Sequence, residues 1–196
     1  MTRREKVYSL VEELYLQNHD KQDVPAVWSN WTWTNHVKVV TQNAENLCIK
    51  YPEANADYTI AGALLHDIAD AVMDRDTPNF DEECNKISRE LLTKANYDSK
   101  EIDYIINDVI VPHSCRELMP TVIEGKVLAT ADAMAHFGTE FYTYFCWMHY
   151  GCKDYTEFKK WVLAKIERDI NIKIFFPGIR EQMQPEYEAI KRLFAK

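Results

Sequence analysis

The segment from Ala56 to Val72, ADYTIAGALLHDIADAV, is apolar on almost every side of a helical wheel until its acids arrive. A helix of that kind has no face to give to water, so it belongs in the middle of a bundle with other helices around it. Asn55 is placed to cap its start. His66 and Asp67 interrupt the apolar run, where an ionisable group is costly unless it is paired, hydrogen-bonded or bound to a metal. Gly62 lies one turn before His66 and costs about 1 kcal/mol against Ala in a helix. Its expected use is close approach of a neighbouring helix or a ligand.

The rest of the chain supplies the neighbours. Periodicity near 3.6 dominates and strand alternation is almost absent, which predicts an all-α, single-domain helical bundle. Thr2-x-x-Glu5, Asp98-x-x-Glu101 and Thr121-x-x-Glu124 read as capping boxes before apolar stripes. The predicted helices, about eight, cover roughly residues 2–18, 34–51, 55–72, 78–96 and 98–111, then 123–138 with an aromatic continuation, 155–176, and a last one beginning near Pro185. Neither a repeat nor a linker divides the chain, so one domain over residues 1–196 is expected. The aromatic stretch Phe141 to Tyr150 fits a core or a homodimer contact equally well.

Thirty-one acidic residues against 23 basic ones give a formal charge of −8, a field that repels long nucleic acids. The five cysteines form no C-x-x-C pair and read as reduced core thiols of a cytoplasmic protein. Acids interrupt the N-terminal apolar stretch before it reaches signal-peptide length, and no apolar run reaches the length of a membrane span, so no membrane partner is expected.

Polar residues break apolar faces at three places: His36, which shares a face with Val40, Ala44 and Leu47; the pair His66-Asp67; and Asp132, which shares one with Leu128 and Ala135. Two imidazoles and two carboxylates form a mixed N/O set suited to Mn, Fe, Co, Ni or Zn. Adjacent helical residues point about 100° apart, so one ion can touch both His66 and Asp67. A second His-Asp pair, His19-Asp20, lies in a polar loop and reads as solvated.

The order His36, His66-Asp67, Asp132, with the local forms LLHDIAD and ATADAMA, resembles the HD-domain metal-dependent phosphohydrolase family. The resemblance covers roughly residues 30–145, with the C-terminal helices of about 153–196 expected to pack on that core. It implies one divalent metal (Mn, Co, Ni, Fe, Zn or Mg) held by His36, His66, Asp67 and Asp132. It also implies an assisting acid three places after the pair, which is Asp70. Helical spacing independently sets Asp70 beside both members of the pair. Asp74, next to Arg75 and Asp76, reads as surface. Dinuclear relatives place extra histidines where His113 stands, and with only one available His113 is expected as a phosphate contact or outer donor.

The resemblance therefore implies a phosphohydrolase of a small phosphate ester or anhydride, with a nucleotide the leading substrate. Lys38 and Arg116 are the expected cationic contacts, and Trp28, Trp31 and Trp33 are candidates to stack on a base. His136, one turn after Asp132, reads first as a satisfied core or surface histidine, with a place facing the same cavity as the alternative, and His149 reads as structural. A non-catalytic metal- or nucleotide-binding module is the alternative, and an HD-type oxygenase or lyase a weaker one, since it would need a second metal and more ligands.

Overall fold

The computed structural model describes residues 1–17, 30–148 and 154–195, and every element among them is helical. The α-helices are α1 (Arg3–Gln17), α2 (Lys38–Lys50), α3 (Ala56–Leu65), α4 (Phe80–Lys94), α5 (Ser99–Tyr104), α6 (Ile123–Gly138), α7 (Phe141–Met148), α8 (Tyr155–Arg168) and α9 (Pro177–Phe194). Three π-turns extend them: Thr32–Val37 runs into α2, Ile105–Ile110 continues α5, and Asp169–Lys173 continues α8. Trp28, His19-Asp20 and His149 lie outside the described residues.

α3 is the axis of the bundle, as its composition requires. Thr59 through Leu65 are all buried, against α1, α2, α6 and the π-turn after α5. Two apolar clusters flank it. One joins α2, α6, α8 and α9 through Leu47, Leu128, Ile166 and Phe194; the other joins α1, α4 and the π-turn after α5 through Val11, Leu92 and Ile105. The C-terminal helices thus pack on α6 and on each other. Phe141 and Tyr142 of the aromatic stretch lie in the first cluster, as core. No helix among the described residues is long and apolar enough to cross a membrane.

Helix starts follow local chemistry, with two corrections. The boxes at Thr2 and Asp98 form, and Asn55 caps α3 through the amides of Asp57 and Tyr58. The box expected at Thr121 does not. Glu124 instead accepts from the Asn55 amide at 2.8 Å and the Tyr104 hydroxyl at 2.8 Å, tying α6 to α3 and α5. The last helix begins at Pro177, whose missing N–H suits a first turn, and Pro185 lies inside it.

The close approach expected at Gly62 is present, for a β-carbon there would meet Val109 Cγ1 at 2.9 Å. Gly125 is tighter still: its β-carbon would lie 2.7 Å from the Asp108 carbonyl oxygen and 2.9 Å from Pro120 Cβ. Backbone cannot yield as a side-chain tip can. Gly125→Ala is therefore expected to lower stability by about 1–3 kcal/mol, whereas Gly138→Ala, which meets nothing within 4 Å, is expected to be neutral or to gain up to about 1 kcal/mol. Urea unfolding of both variants checks the pair; equal midpoints would contradict this packing.

Candidate metal centre

The His-Asp pair sits at a break rather than inside a helix. α3 ends at Leu65, His66 keeps helical angles, and Asp67 turns out of them at φ −125° and ψ 28° before a short 3-10 turn over Ile68–Ala71. The continuous helix to Val72 expected from the sequence is thus interrupted. A helix end leaves carbonyls without amide partners. Here side chains serve them: His66 Nδ1 donates to the Ala63 carbonyl at 2.8 Å, the Cys84 thiol lies 3.4 Å from that of Leu65 and 3.2 Å from that of His66, and the Tyr15 hydroxyl donates to that of Asp67 at 3.1 Å. The break is held from α1 and α4, and it turns both members of the pair toward α2 and α6.

Helix α6 brings Asp132, and the π-turn before α2 brings His36. Asn43 of α2 donates to the Ala131 carbonyl at 3.2 Å, locking the two helices beside the ligand positions. His36 Nε2 lies 3.2 Å from His66 Nε2, 3.4 Å from Asp67 Oδ2 and 3.3 Å from Asp132 Oδ1. His66 Nε2 is 3.4 Å from the Asp67 oxygen and 3.9 Å from that of Asp132. All four side chains are buried. His36, His66 and Asp67 form one group able to hold an ion, and His36, Asp132 and His136 form an overlapping one.

These contacts have the spacing of a coordination shell. With ligands about 2.1 Å from an octahedral ion, adjacent donors lie about 3.0 Å apart and opposite ones about 4.2 Å. The proton inventory agrees. The Ala63 carbonyl fixes the proton of His66 on Nδ1, so Nε2 presents a lone pair. Asp132 Oδ1, buried among these nitrogens, has no hydrogen-bond partner among the described residues. His66 Nε2, the carboxylate oxygens of Asp67 and Asp132, and His36, whose Nδ1 has no hydrogen-bond partner among the described residues, make a buried N/O donor set that a divalent metal fits.

Two cations sit against the carboxylates. Arg75 Nη2 lies 2.6 Å from Asp67 Oδ2, and the same guanidinium engages both oxygens of Asp70. Lys173, only 2% exposed, is bonded to Asp132 Oδ2. Thr130 positions it, its hydroxyl donating to the Lys173 carbonyl at 3.2 Å and accepting the Phe175 amide at 3.1 Å. Burial by itself would raise the Asp67 carboxyl, but Arg75, His66 and His36 outweigh it and hold the group well below the ordinary range. For Asp132, burial is likewise overridden, by His136, Lys173, His36 and His66. Both therefore stay ionised, ready to ligate. Asp70, fully buried, has its carboxyl raised by burial, which Arg75 only partly offsets.

The other expected contacts are spread more widely. His113 stands edge-on to His66 with ring centroids 5.2 Å apart, and its Nδ1 donates to the Ile110 carbonyl at 2.6 Å. Burial first, then His66 and Lys173, pushes it down to about 4. It is a neutral ring whose Nε2 accepts, which suits a bond from water or a hydroxyl better than donation to phosphate. Lys38 is drawn to Glu12 at 3.3 Å and lies over the Trp33 ring, and Arg116 is exposed in the turn after Cys115. Trp33 is buried against Tyr8 and Tyr15 as core, while Trp31 stacks on Tyr144 at 4.0 Å. Asp74 is exposed and accepts the Asp76 amide. Sequence reasoning missed Arg75 and Lys173: the first is embedded in a run of surface charges, and the second lies beyond the motif on a π-turn.

A family model described as HD domain matches residues 33–136, just over half of the chain. The chain belongs to the HD-domain family. No curated protein and no solved structure gives a significant match. The HD-domain span begins inside the π-turn that carries His36 and closes on His136, so it contains both candidate ligand groups, whereas Lys173 lies outside it. HD domains typically hold a divalent metal, and this one has the His/Asp groups to do so.

Ligands that bind only the folded state stabilise it by mass action. Mn²⁺ or Co²⁺ at about 100 times its Kd is expected to add about 2.7 kcal/mol, a rise in Tm on the order of 5–10 °C for a chain of this size. His66→Ala should abolish the rise while leaving a folded protein. A wild-type Tm indifferent to every divalent ion in scanning calorimetry would contradict the site.

Proposed function

We propose that the protein is a metal-dependent phosphohydrolase that cleaves a phosphate ester or anhydride of a small molecule, with a nucleotide as the leading substrate class. The observation that carries this reading is the juxtaposition of a lone-pair cluster with Arg75 and Lys173, a cation shell suited to a phosphoryl group. A bound divalent ion would supply a water of lowered pKa and polarise a phosphoryl oxygen. His36, His66, Asp67 and Asp132 would hold it.

The remaining chemistry falls to the chain's own groups. Arg75 presents a planar fork that matches phosphate as well as carboxylate. When phosphate oxygens take over that fork, Asp70 is released from its partner. Its raised carboxyl then suits it to accept a proton from the nucleophile and return it to the leaving oxygen. His113 accepts a hydrogen bond through Nε2, and Lys173 restrains Asp132 while adding positive charge. Arg116 and Lys38 are assigned no contact with the transferred phosphoryl group, given where they sit. The nucleotide reading rests on an aromatic path away from the ligands: His136 to Phe141 at 4.1 Å, Phe141 to Trp31 at 6.3 Å, and Trp31 stacked on Tyr144. The free thiols Cys48, Cys84 and Cys115 suit a reducing, cytoplasmic setting.

The test is phosphate release from a nucleotide panel with added Mn²⁺, Co²⁺ or Mg²⁺. Wild type should turn over at least one member, His66→Ala none, and Asp70→Asn should lose about 10²–10⁴ in kcat with metal still bound. Arg75→Lys should raise KM by about tenfold, because an ammonium cannot reproduce the fork. Metal retention without phosphate release from any member would favour the non-catalytic binding module.

A further inference from the structure

Beyond the four residues of the motif, a fifth donor faces the same centre. His136, one turn after Asp132 on α6, is 4% exposed, and its Nε2 lies 3.2 Å from Asp132 Oδ1. Its ring lies parallel to that of His36, with the planes 7° apart and the centroids at 5.2 Å. We propose that His136 is a fifth protein ligand of the metal and that Asp169 is the positioning residue that aims it. The inference rests on the metal-centre reading above and deepens it.

Three observations carry it. The first is spacing, for two donors at i and i+4 on one helix can grip a single ion, as paired helical histidines do in zinc sites. The second is the proton. His136 Nδ1 lies 3.0 Å from Asp169 Oδ2 and 3.2 Å from Lys165 Nζ. Lys165 already donates to Asp169 Oδ2 at 3.1 Å, so the hydrogen of His136 is assigned to Nδ1, in the shorter bond to the carboxylate, and the lone pair to Nε2. The 3.2 Å contact with Asp132 is then one lone pair against another, and Asp132 Oδ1 has no hydrogen-bond partner among the described residues. The third is the support behind the ring. Asp169 is fully buried, and its Oδ2 also accepts from the Tyr142 hydroxyl at 3.0 Å and from Lys165 at 3.1 Å. A carboxylate that takes the far N–H of an imidazole is the usual second partner of a metal-bound histidine, fixing its tautomer and raising its basicity.

This assignment gives three imidazoles and two carboxylates. Nitrogen-rich sets favour Mn, Fe, Co, Ni or Zn over Mg. It also gives the C-terminal π-turn a task. Asp169 starts that turn and Lys173 ends it, so one irregular segment outside the motif serves both His136 and Asp132.

The test is proton NMR of the Co²⁺-loaded full chain in water. Each histidine bound through Nε2 contributes one strongly shifted, exchangeable Nδ1 proton. Three are expected for His36, His66 and His136, with one of them absent from folded, Co²⁺-loaded His136→Gln. Asp169→Asn, which keeps the size of the side chain, should weaken Co²⁺ binding by about 10- to 100-fold in calorimetric titration. Only two such signals in wild type would overturn the role of His136 and leave the four-ligand site standing. None at saturating Co²⁺ would overturn both. The wild-type count decides the matter even if His136→Gln does not fold.

Discussion

The structure turns on a packing problem that ordinary apolar burial does not solve: two imidazoles and two carboxylates, His36, His66, Asp67 and Asp132, meet in the buried centre of a helical bundle, with the imidazole nitrogens 3.2–3.9 Å from one another and from the carboxylate oxygens. Buried ionisable groups are costly unless they are paired, hydrogen-bonded or bound to a metal; here Arg75 and Lys173 pair with the carboxylates, and the imidazoles and carboxylates have the spacing of metal ligands. Most of the local irregularity serves this cluster. α3 stops at Leu65 so that His66 and Asp67 turn out of the helix, and Tyr15 and Cys84 satisfy the carbonyls that the stop exposes. Arg75 on Asp67 Oδ2, and His136 and Lys173 on Asp132, help to hold the carboxylates ionised, which keeps them competent as ligands.

The π-turns belong to the same account. Widening a helix from i→i+4 to i→i+5 bonding admits an extra residue and rotates the residues beyond it by about 100°. One such turn carries His36, one precedes the segment that holds His113, and one spans Asp169 to Lys173. Isolated π-turns often mark functional sites. Here each adjusts the phase of a side chain that a regular helix would aim elsewhere.

That phase shift also explains which parts of the site are legible in the sequence and which are not. His36, His66, Asp67 and Asp132 stand out because a polar residue on an apolar stripe is an anomaly visible without coordinates, and the all-helical fold follows from the same periodicity. His136 is legible only as the lesser alternative, one turn after Asp132. α6 is buried on nearly every side from Glu124 to Phe137, so no apolar face singles it out, although the Asp-x-x-x-His spacing is there to be read. Arg75 looks like one more surface charge between Asp74 and Asp76. Lys173 and Asp169 follow a π-turn's phase that a count of 3.6 cannot anticipate. Lys38 and Arg116 recommend themselves by nearness in sequence to His36 and His113, and nearness along a helix says little about direction, as the pairing of Lys38 with Glu12 shows.

One divalent cation at the meeting point of these side chains is what would complete the core. Anomalous X-ray scattering from a crystal of the Mn²⁺- or Co²⁺-loaded protein, collected at the metal edge, tests it most directly. A single strong peak is expected about 2.0–2.2 Å from Nε2 of His36 and His66 and from carboxylate oxygens of Asp67 and Asp132. A peak elsewhere, or none at that position in a fully loaded crystal, would contradict it.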